Sequence, residues 1–237
     1  GMVAAARLVQ AGIPVTVFEA GSDLSTQSRA STFHPPTLDM LAELGVADRL
    51  IEQGLAAPYV QYRSRSEGLL GRFDFGEIAD LTGHPYRLQC EQWRLCRALL
   101  EKLGTEPDFE ICFDSPVTEM TQDETGVTVT LGEGDAARTR TGRWLIGADG
   151  ASSVVRQSNG IGFEGFTWAE RFLVVTTTAD LRALVPDLDT VTYVADPEQW
   201  NFFLEIPTAW RVMFPVPNDM SDDQALEPGY GDGLLQK

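Results

Sequence analysis

The run Trp144-Leu-Ile-Gly-Ala-Asp149-Gly150-Ala-Ser-Ser153-Val-Val-Arg156 constrains this chain more than any other feature. Its uninterrupted small and apolar residues over 144–148 predict a buried strand of a parallel sheet, and the strand runs directly into an acid, a glycine and a helix start. In open α/β sheets ligands bind beyond the carboxyl ends of the strands, which is where Asp149 falls. Gly150 permits close backbone approach, Ser152 or Ser153 can cap the helix, and Arg156, one turn in, can pair with a carboxylate or a phosphate. An ordinary Asp-Gly turn accounts for the dipeptide alone but not for the whole string.

The chain opens on a compatible pattern. Small and apolar residues from Gly1 suit a helix packed closely on a sheet, with Gly12 as its stop, and Pro14-Val-Thr-Val-Phe-Glu19 then reads as a buried parallel strand ending in an acid. This is half of a βαβ unit. Glu19 follows Gly1 at the spacing that brings a carboxylate to a nucleotide ribose. A full dinucleotide fingerprint also has a strand and two glycines ahead of this helix, where backbone amides approach a pyrophosphate, and these do not precede Gly1.

Between these two signals the periodicity predicts helices over 37–44, 46–53 and 91–103, a strand over 59–64 with a β excursion through Phe75, a strand over 111–113, and a hairpin of 117–122 with 127–131. From Arg171 the pattern changes to strands over 172–178, 190–194, 201–206 and 211–216 with turn residues between them, which predicts an antiparallel sheet and a second domain. Trp200, Phe202, Phe203, Trp210 and Phe214 in those strands are candidates to line an aromatic pocket, with sheet core as the default reading for most of them.

Charge and cysteine usage exclude several functions. The 35 acidic against 18 basic residues give a net charge of −17, which repels phosphate backbones and anionic lipid, so nucleic-acid and membrane partners are not expected. Cys90, Cys96 and Cys112 form neither a disulfide framework nor a zinc spacing; they read as buried free thiols, two of them within one amphipathic helical stretch. No metal site is expected. With no signal peptide and no long apolar run, a cytoplasmic location is expected. His34 and His84 read as loop residues, and no catalytic residue is assigned.

The Asp149 string resembles the Asp-Gly motif of the class A FAD-dependent aromatic monooxygenases, the para-hydroxybenzoate hydroxylase and phenol hydroxylase group. The segment from Gly1 to Glu19 resembles that family's flavin-binding start, Arg29-Ala-Ser-Thr-Phe-His-Pro-Pro-Thr-Leu-Asp-Met-Leu41 the segment that follows, and Tyr86-Arg-Leu-Gln89-Cys-Glu-Gln-Trp-Arg-Leu95 its flavin-contacting glutamine and helix. The likeness runs in family order over nearly the whole chain.

The resemblance implies an α/β fold in which a Rossmann-type FAD-binding domain (1–56 and 86–168, its first strand missing) interleaves with an α+β substrate domain on an antiparallel sheet (57–85 and 169–237). It implies that Gly1 is the last glycine of the phosphate loop, Glu19 binds the adenosine ribose, Arg29 lies near the pyrophosphate and Gln89 contacts the cofactor. It places Asp149, Gly150 and Arg156 in the motif shared by flavin and nicotinamide nucleotide. The implied activity is hydroxylation of a small phenol-like or polyketide-like aromatic with FAD as cofactor, NAD(P)H as electron donor and O2 as oxidant; a homodimer is compatible. Relative to the family the chain reads as truncated at both ends, so weak or absent FAD binding is an expectation. The alternatives are an inactive fragment or binding module, a related epoxidase, halogenase or antibiotic-modifying monooxygenase, and a plain NAD-dependent dehydrogenase. A halogenase lysine motif is missing, since Lys102 and Lys237 are the only lysines.

Overall fold

In the first helix, α1 (Met2–Gln10), the residues three and four apart on one face, Met2, Ala5 and Ala6, are buried, as their spacing requires. The computed structural model describes residues 1–27, 30–197 and 199–236. They form two compact units, one of 1–27 with 93–165 and the other of 28–92 with 166–237.

In the first unit, α1 leads to β1 (Val15–Phe18), which pairs in parallel with β7 (Phe109–Cys112), in agreement with the parallel strand expected over 14–19 and the strand expected over 111–113. Helix α4 (Gln92–Leu103), most of which lies in this unit, buries Leu95, Ala98, Leu99 and Leu103, the i, i+3, i+4, i+8 stripe of an amphipathic helix. Strands β8 (Val117–Gln122), β9 (Val127–Leu131) and β10 (Arg138–Gly142) form an antiparallel sheet in the order β10-β9-β8. Met120, Val127, Val129 and Leu131 bury its inner face, with Phe18 and Leu145 packed against them.

The segment 144–148 departs from expectation. It is not a strand: no ladder pairs it among the described residues, and Trp144 is 82% exposed. Apolar composition specifies a buried strand only when a neighbouring strand supplies hydrogen bonds, and the parallel sheet of this unit, β1 with β7, does not extend to it. Its end leads into the short helix α5 (Val154–Ser158).

The second unit contains two sheets. Strands β2 (Thr32–Phe33), β3 (Leu55–Ala57) and β6 (Arg87–Gln89) form a small antiparallel sheet with β6 central. Helices α2 (Pro35–Glu43), with proline at its first positions, and α3 (Ala47–Gln53) connect β2 to β3. Gly45 (φ +67) supplies the left-handed turn between them. Cys90, expected within a helix, instead directly follows β6 and is fully buried, whereas Cys96 in α4 and Cys112 in β7 are only partly buried.

The larger sheet joins β4 (Tyr59–Ser64) and β5 (Gly68–Asp74) to β11 (Arg171–Thr177), β12 (Val191–Val194), β13 (Asn201–Ile206) and β14 (Ala209–Val216) in the order β11-β14-β13-β12-β4-β5. All neighbours are antiparallel except β12 and β4. That parallel join is secured by the buried Gln61, whose Oε1 accepts the Thr192 hydroxyl at 3.1 Å while its amide donates to the Asp187 carbonyl at 2.8 Å. Arg72 adds a two-pronged pair with Asp189 at 2.8 and 2.9 Å. After β14 come the short helices α7 (Asp222–Ala225) and α8 (Tyr230–Leu235); α8 and α6 (Leu181–Leu184) cover one face of the sheet and bury Trp210, Val212 and Phe214 with Leu181, Leu188 and Leu234.

Candidate functional site

In the first unit, α1 begins immediately after Gly1, so its first amides lack intrahelical partners and face outward from the helix start. A methyl group on Gly1 would lie 3.9 Å from the Ala148 side chain, so the helix start adjoins the 144–150 segment. Glu19 continues β1: its amide donates to the Cys112 carbonyl and its own carbonyl accepts from Ser115, both at 2.9 Å. Its carboxylate is oriented by the Gly21 amide, 2.9 Å from Oε1, and Oε2 makes no hydrogen bond among the described residues. The following loop is tied to α4 by an ion pair of Asp23 with Arg97 at 2.5 Å, which holds the Asp23 carboxyl below the usual carboxylate range.

Asp149 shapes its own loop. The Ser153 hydroxyl donates to Oδ1 at 2.6 Å and the Val155 amide to Oδ2 at 3.2 Å, while Ser153 accepts the Arg156 amide at 3.0 Å as the cap of α5. Gly150 takes φ +79 with open space where a side chain would stand, a conformation that a non-glycine residue would strain. Arg156 donates to the Ala151 carbonyl at 2.6 Å and lies 4.6 Å over the Phe163 ring, and its buried Nε has no partner among the described residues.

Partial burial works against ionisation of Asp149, but the Ser153 hydroxyl and the amides of Val155 and Val154 outweigh it and hold the carboxyl below its usual range. A carboxylate with a depressed folded-state pKa stabilises fully above its unfolded value, and that contribution is lost as pH falls through the folded one. Acidification is therefore expected to lower the protection of the Val155 amide, its exchange rate taken relative to the intrinsic rate at the same pH, in the native protein but not in Asp149→Asn. Equal acid sensitivity in both proteins would refute the link.

In the second unit, Gln89 ends β6 with no exposed surface. Its Oε1 accepts the Thr32 hydroxyl at 3.0 Å, but Nε2 is buried and has no partner among the described residues. An unsatisfied buried amide costs about 1–3 kcal/mol, so a native protein that keeps one has a use for it. Arg29 lies outside the described residues.

The sheet face opposite α6 and α8 carries a row of aromatic rings. Phe73 meets Tyr62 edge-on at 5.7 Å, Tyr62 stacks on Tyr193 at 5.2 Å, and Tyr193 lies 5.6 Å from Phe202. Trp200 continues it, 6.4 Å from Phe202 and 5.4 Å from Phe172. Of the five aromatic candidates read from the sequence, Trp210, Phe214 and Phe203 face the helix-covered core, and Trp200 and Phe202 stand in the row. Tyr62, Phe73 and Tyr193 were not among them. The alternation over 59–64 was the signal for Tyr62, but it does not reveal that β4 lies beside β12 and so brings Tyr62 onto Tyr193.

The two histidines lie in the second unit. His34 precedes α2 at its cap, and His84 Nδ1 lies 2.6 Å from Asp39 Oδ1, beside the bond from Thr82 to the same carboxylate. Among the described residues no group of three or more His, Cys, Asp or Glu side chains is placed to hold a metal ion, and no helix is long and apolar enough to cross a membrane.

Residues 1–228 match the family model described as FAD binding domain. The chain belongs to the FAD-dependent aromatic monooxygenases. It is 31% identical to para-nitrophenol 4-monooxygenase of a Pseudomonas species over 94% of this chain and 55% of that protein. It is 35% identical to 6-hydroxy-3-succinoylpyridine 3-monooxygenase of Pseudomonas putida, over 90% of this chain and 55% of that one. A p-nitrophenol 4-monooxygenase crystal structure from Pseudomonas putida superposes with a TM-score of 0.88 at 28% identity, covering 94% of this chain and 57% of that one. The chain thus spans about half the length of the curated relatives it matches. The mixed α/β fold with an FAD-binding part and a largely antiparallel sheet is the family's, as the sequence implied. FAD is the cofactor, and the residues present suit it: an oriented acid beyond a strand end, a helix start at Gly1, and in Gln89 a buried donor without an acceptor.

Proposed function

We propose that this monooxygenase chain holds FAD through Gly1, Glu19, Arg29, Gln89, Asp149, Gly150 and Arg156, and that the aromatic row of the six-stranded sheet receives the ring of a small aromatic substrate that is hydroxylated. The balanced reaction converts a ring C–H, O2, NAD(P)H and a proton to a ring C–OH, water and NAD(P)+. Bound FAD supplies the redox chemistry, accepting hydride from the nicotinamide and activating oxygen. The chain's own residues bind and orient. Glu19 offers a free carboxylate oxygen to paired ribose hydroxyls, the amides after Gly1 favour a phosphate, and Asp149 keeps the Gly150 loop in shape. The rings of Tyr62, Tyr193 and Phe202 offer stacking surface while excluding water. In this proposal 1–56 with 86–168 serves the flavin and 57–85 with 169–237 the substrate. The acidic surface supports the absence of nucleic-acid partners, and cytoplasmic residence and a homodimer belong to the same proposal.

The unpartnered Gln89 amide carries the cofactor reading. Gln89→Leu replaces it with an apolar side chain of similar size. If the amide only burdened the core, the variant would be as stable as the native protein, or more so, with FAD affinity unchanged. The expected result is a preserved fold with FAD affinity reduced about tenfold, the worth of one hydrogen bond to a buried acceptor, read by flavin fluorescence titration. Unchanged affinity would refute the assignment, and NAD(P)H consumption stimulated by phenols tests the activity itself.

A further inference from the structure

Residues two apart on a strand project to the same face, so Arg87 and Gln89 share one side of β6 while the fully buried Leu88 takes the other. Each carries a shielded donor without a partner among the described residues, Nε of Arg87 and Nε2 of Gln89. Their backbones are separated by roughly 7 Å along the strand, the rise of two residues. One strand face therefore presents two unanswered N–H groups side by side.

The rest of the Arg87 guanidinium is fixed in place. Nη1 donates to the Tyr193 hydroxyl at 3.2 Å, and the group lies 5.7 Å from the Phe75 ring centre. No carboxylate pairs with it among the described residues. The ionisable neighbour it acts on is His34, whose charged form is disfavoured by burial and then by the Arg87 charge. Tyr193 stands within the aromatic row, between Tyr62 and Phe202, so its hydroxyl places an uncompensated cation beside a stacking surface. The edge that makes no hydrogen bond among the described residues, the buried Nε with Nη2, is the one Arg72 uses to grip the Asp189 carboxylate. An arginine held this way is complementary to an oxyanion.

We propose that Arg87 is a specificity-determining residue that binds the anionic oxygen of an ionised phenol whose ring lies on the aromatic row. The proposal rests on the reading of that row as the substrate face. It adds a charge preference: a phenolate is favoured over a ring of the same size bearing a neutral ether.

The test compares para-nitrophenol, at a mildly alkaline pH where it is ionised, with para-nitroanisole, which cannot ionise, by equilibrium dialysis against the FAD-loaded protein. The native protein is expected to prefer the phenolate. Arg87→Gln is expected to retain FAD and its affinity for para-nitroanisole while losing about ten- to hundredfold for the phenolate, the range of a hydrogen bond to a charged group. Arg87→Lys, which keeps the charge without the fork, is expected to keep part of the preference. Equal weakening of both ligands in Arg87→Gln marks a packing role and overturns the proposal, as does absence of any phenolate preference in the native protein, which decides the matter even if the variants fail to fold. Native protein that holds FAD yet binds neither ligand overturns the substrate-face reading and this proposal with it. Loss of the preference in the variant alone, with para-nitroanisole still bound, supports both.

Discussion

Trp210→Ala is expected to destabilise the unit built on the six-stranded sheet by about 3–5 kcal/mol, the range for removing a large buried aromatic. Trp210 is 5% exposed and shares one core with Leu181, Leu188, Val212, Phe214 and Leu234. Its ring also supports Arg182, whose guanidinium lies 5.1 Å above it and grips Glu205 through two short bonds. Truncation therefore opens a cavity and removes the platform beneath a charged pair. Against a typical domain stability of about 5–15 kcal/mol, such a loss should shift the urea midpoint of the unit substantially. Trp144, 82% exposed, is the internal control: Trp144→Ala should change stability by no more than about 0.5 kcal/mol. Similar shifts for the two would contradict the burial pattern described above.

Glu19→Ala is expected to weaken FAD binding by about ten- to hundredfold without unfolding the first unit. The carboxylate is already held by the Gly21 amide, so little ordering is needed before its free oxygen meets a ribose hydroxyl. Glu19→Gln keeps an acceptor for that amide but loses the charge, and should fall between the native protein and Glu19→Ala. A titration in which all three proteins bind FAD equally would remove Glu19 from the proposed site.

The local pattern was readable where local chemistry decides it. The stripe of Leu95, Ala98, Leu99 and Leu103 specifies a helix face, and strict burial alternation along β9, with Val127, Val129 and Leu131 inward, specifies a half-buried strand. Partner choice was not readable. Nothing in Tyr59–Ser64 says that it will lie beside Val191–Val194, and nothing in 144–148 says that no strand will pair with it. The same limit applied to the site. Glu19, Gln89 and Asp149 came from motifs and resemblance, whereas the meeting of Arg87 with Tyr193 depends on two segments that only the tertiary structure brings together. Gln89 illustrates both cases: its position was legible, but the unanswered amide that gives it meaning was not.

The parallel join of β4 to β12 has a consequence for biogenesis. The hairpin of β4 and β5 is synthesised long before its parallel neighbour β12, and Leu69, Leu70 and Phe73 are exposed on it. Until β12 leaves the ribosome, one side of β4 offers an open row of amides and carbonyls to any passing chain. Closing so long a loop is slow as well as entropically costly. The nascent chain is thus most vulnerable to misassociation while the sheet waits for its later strands, and help from chaperones would matter most in that interval.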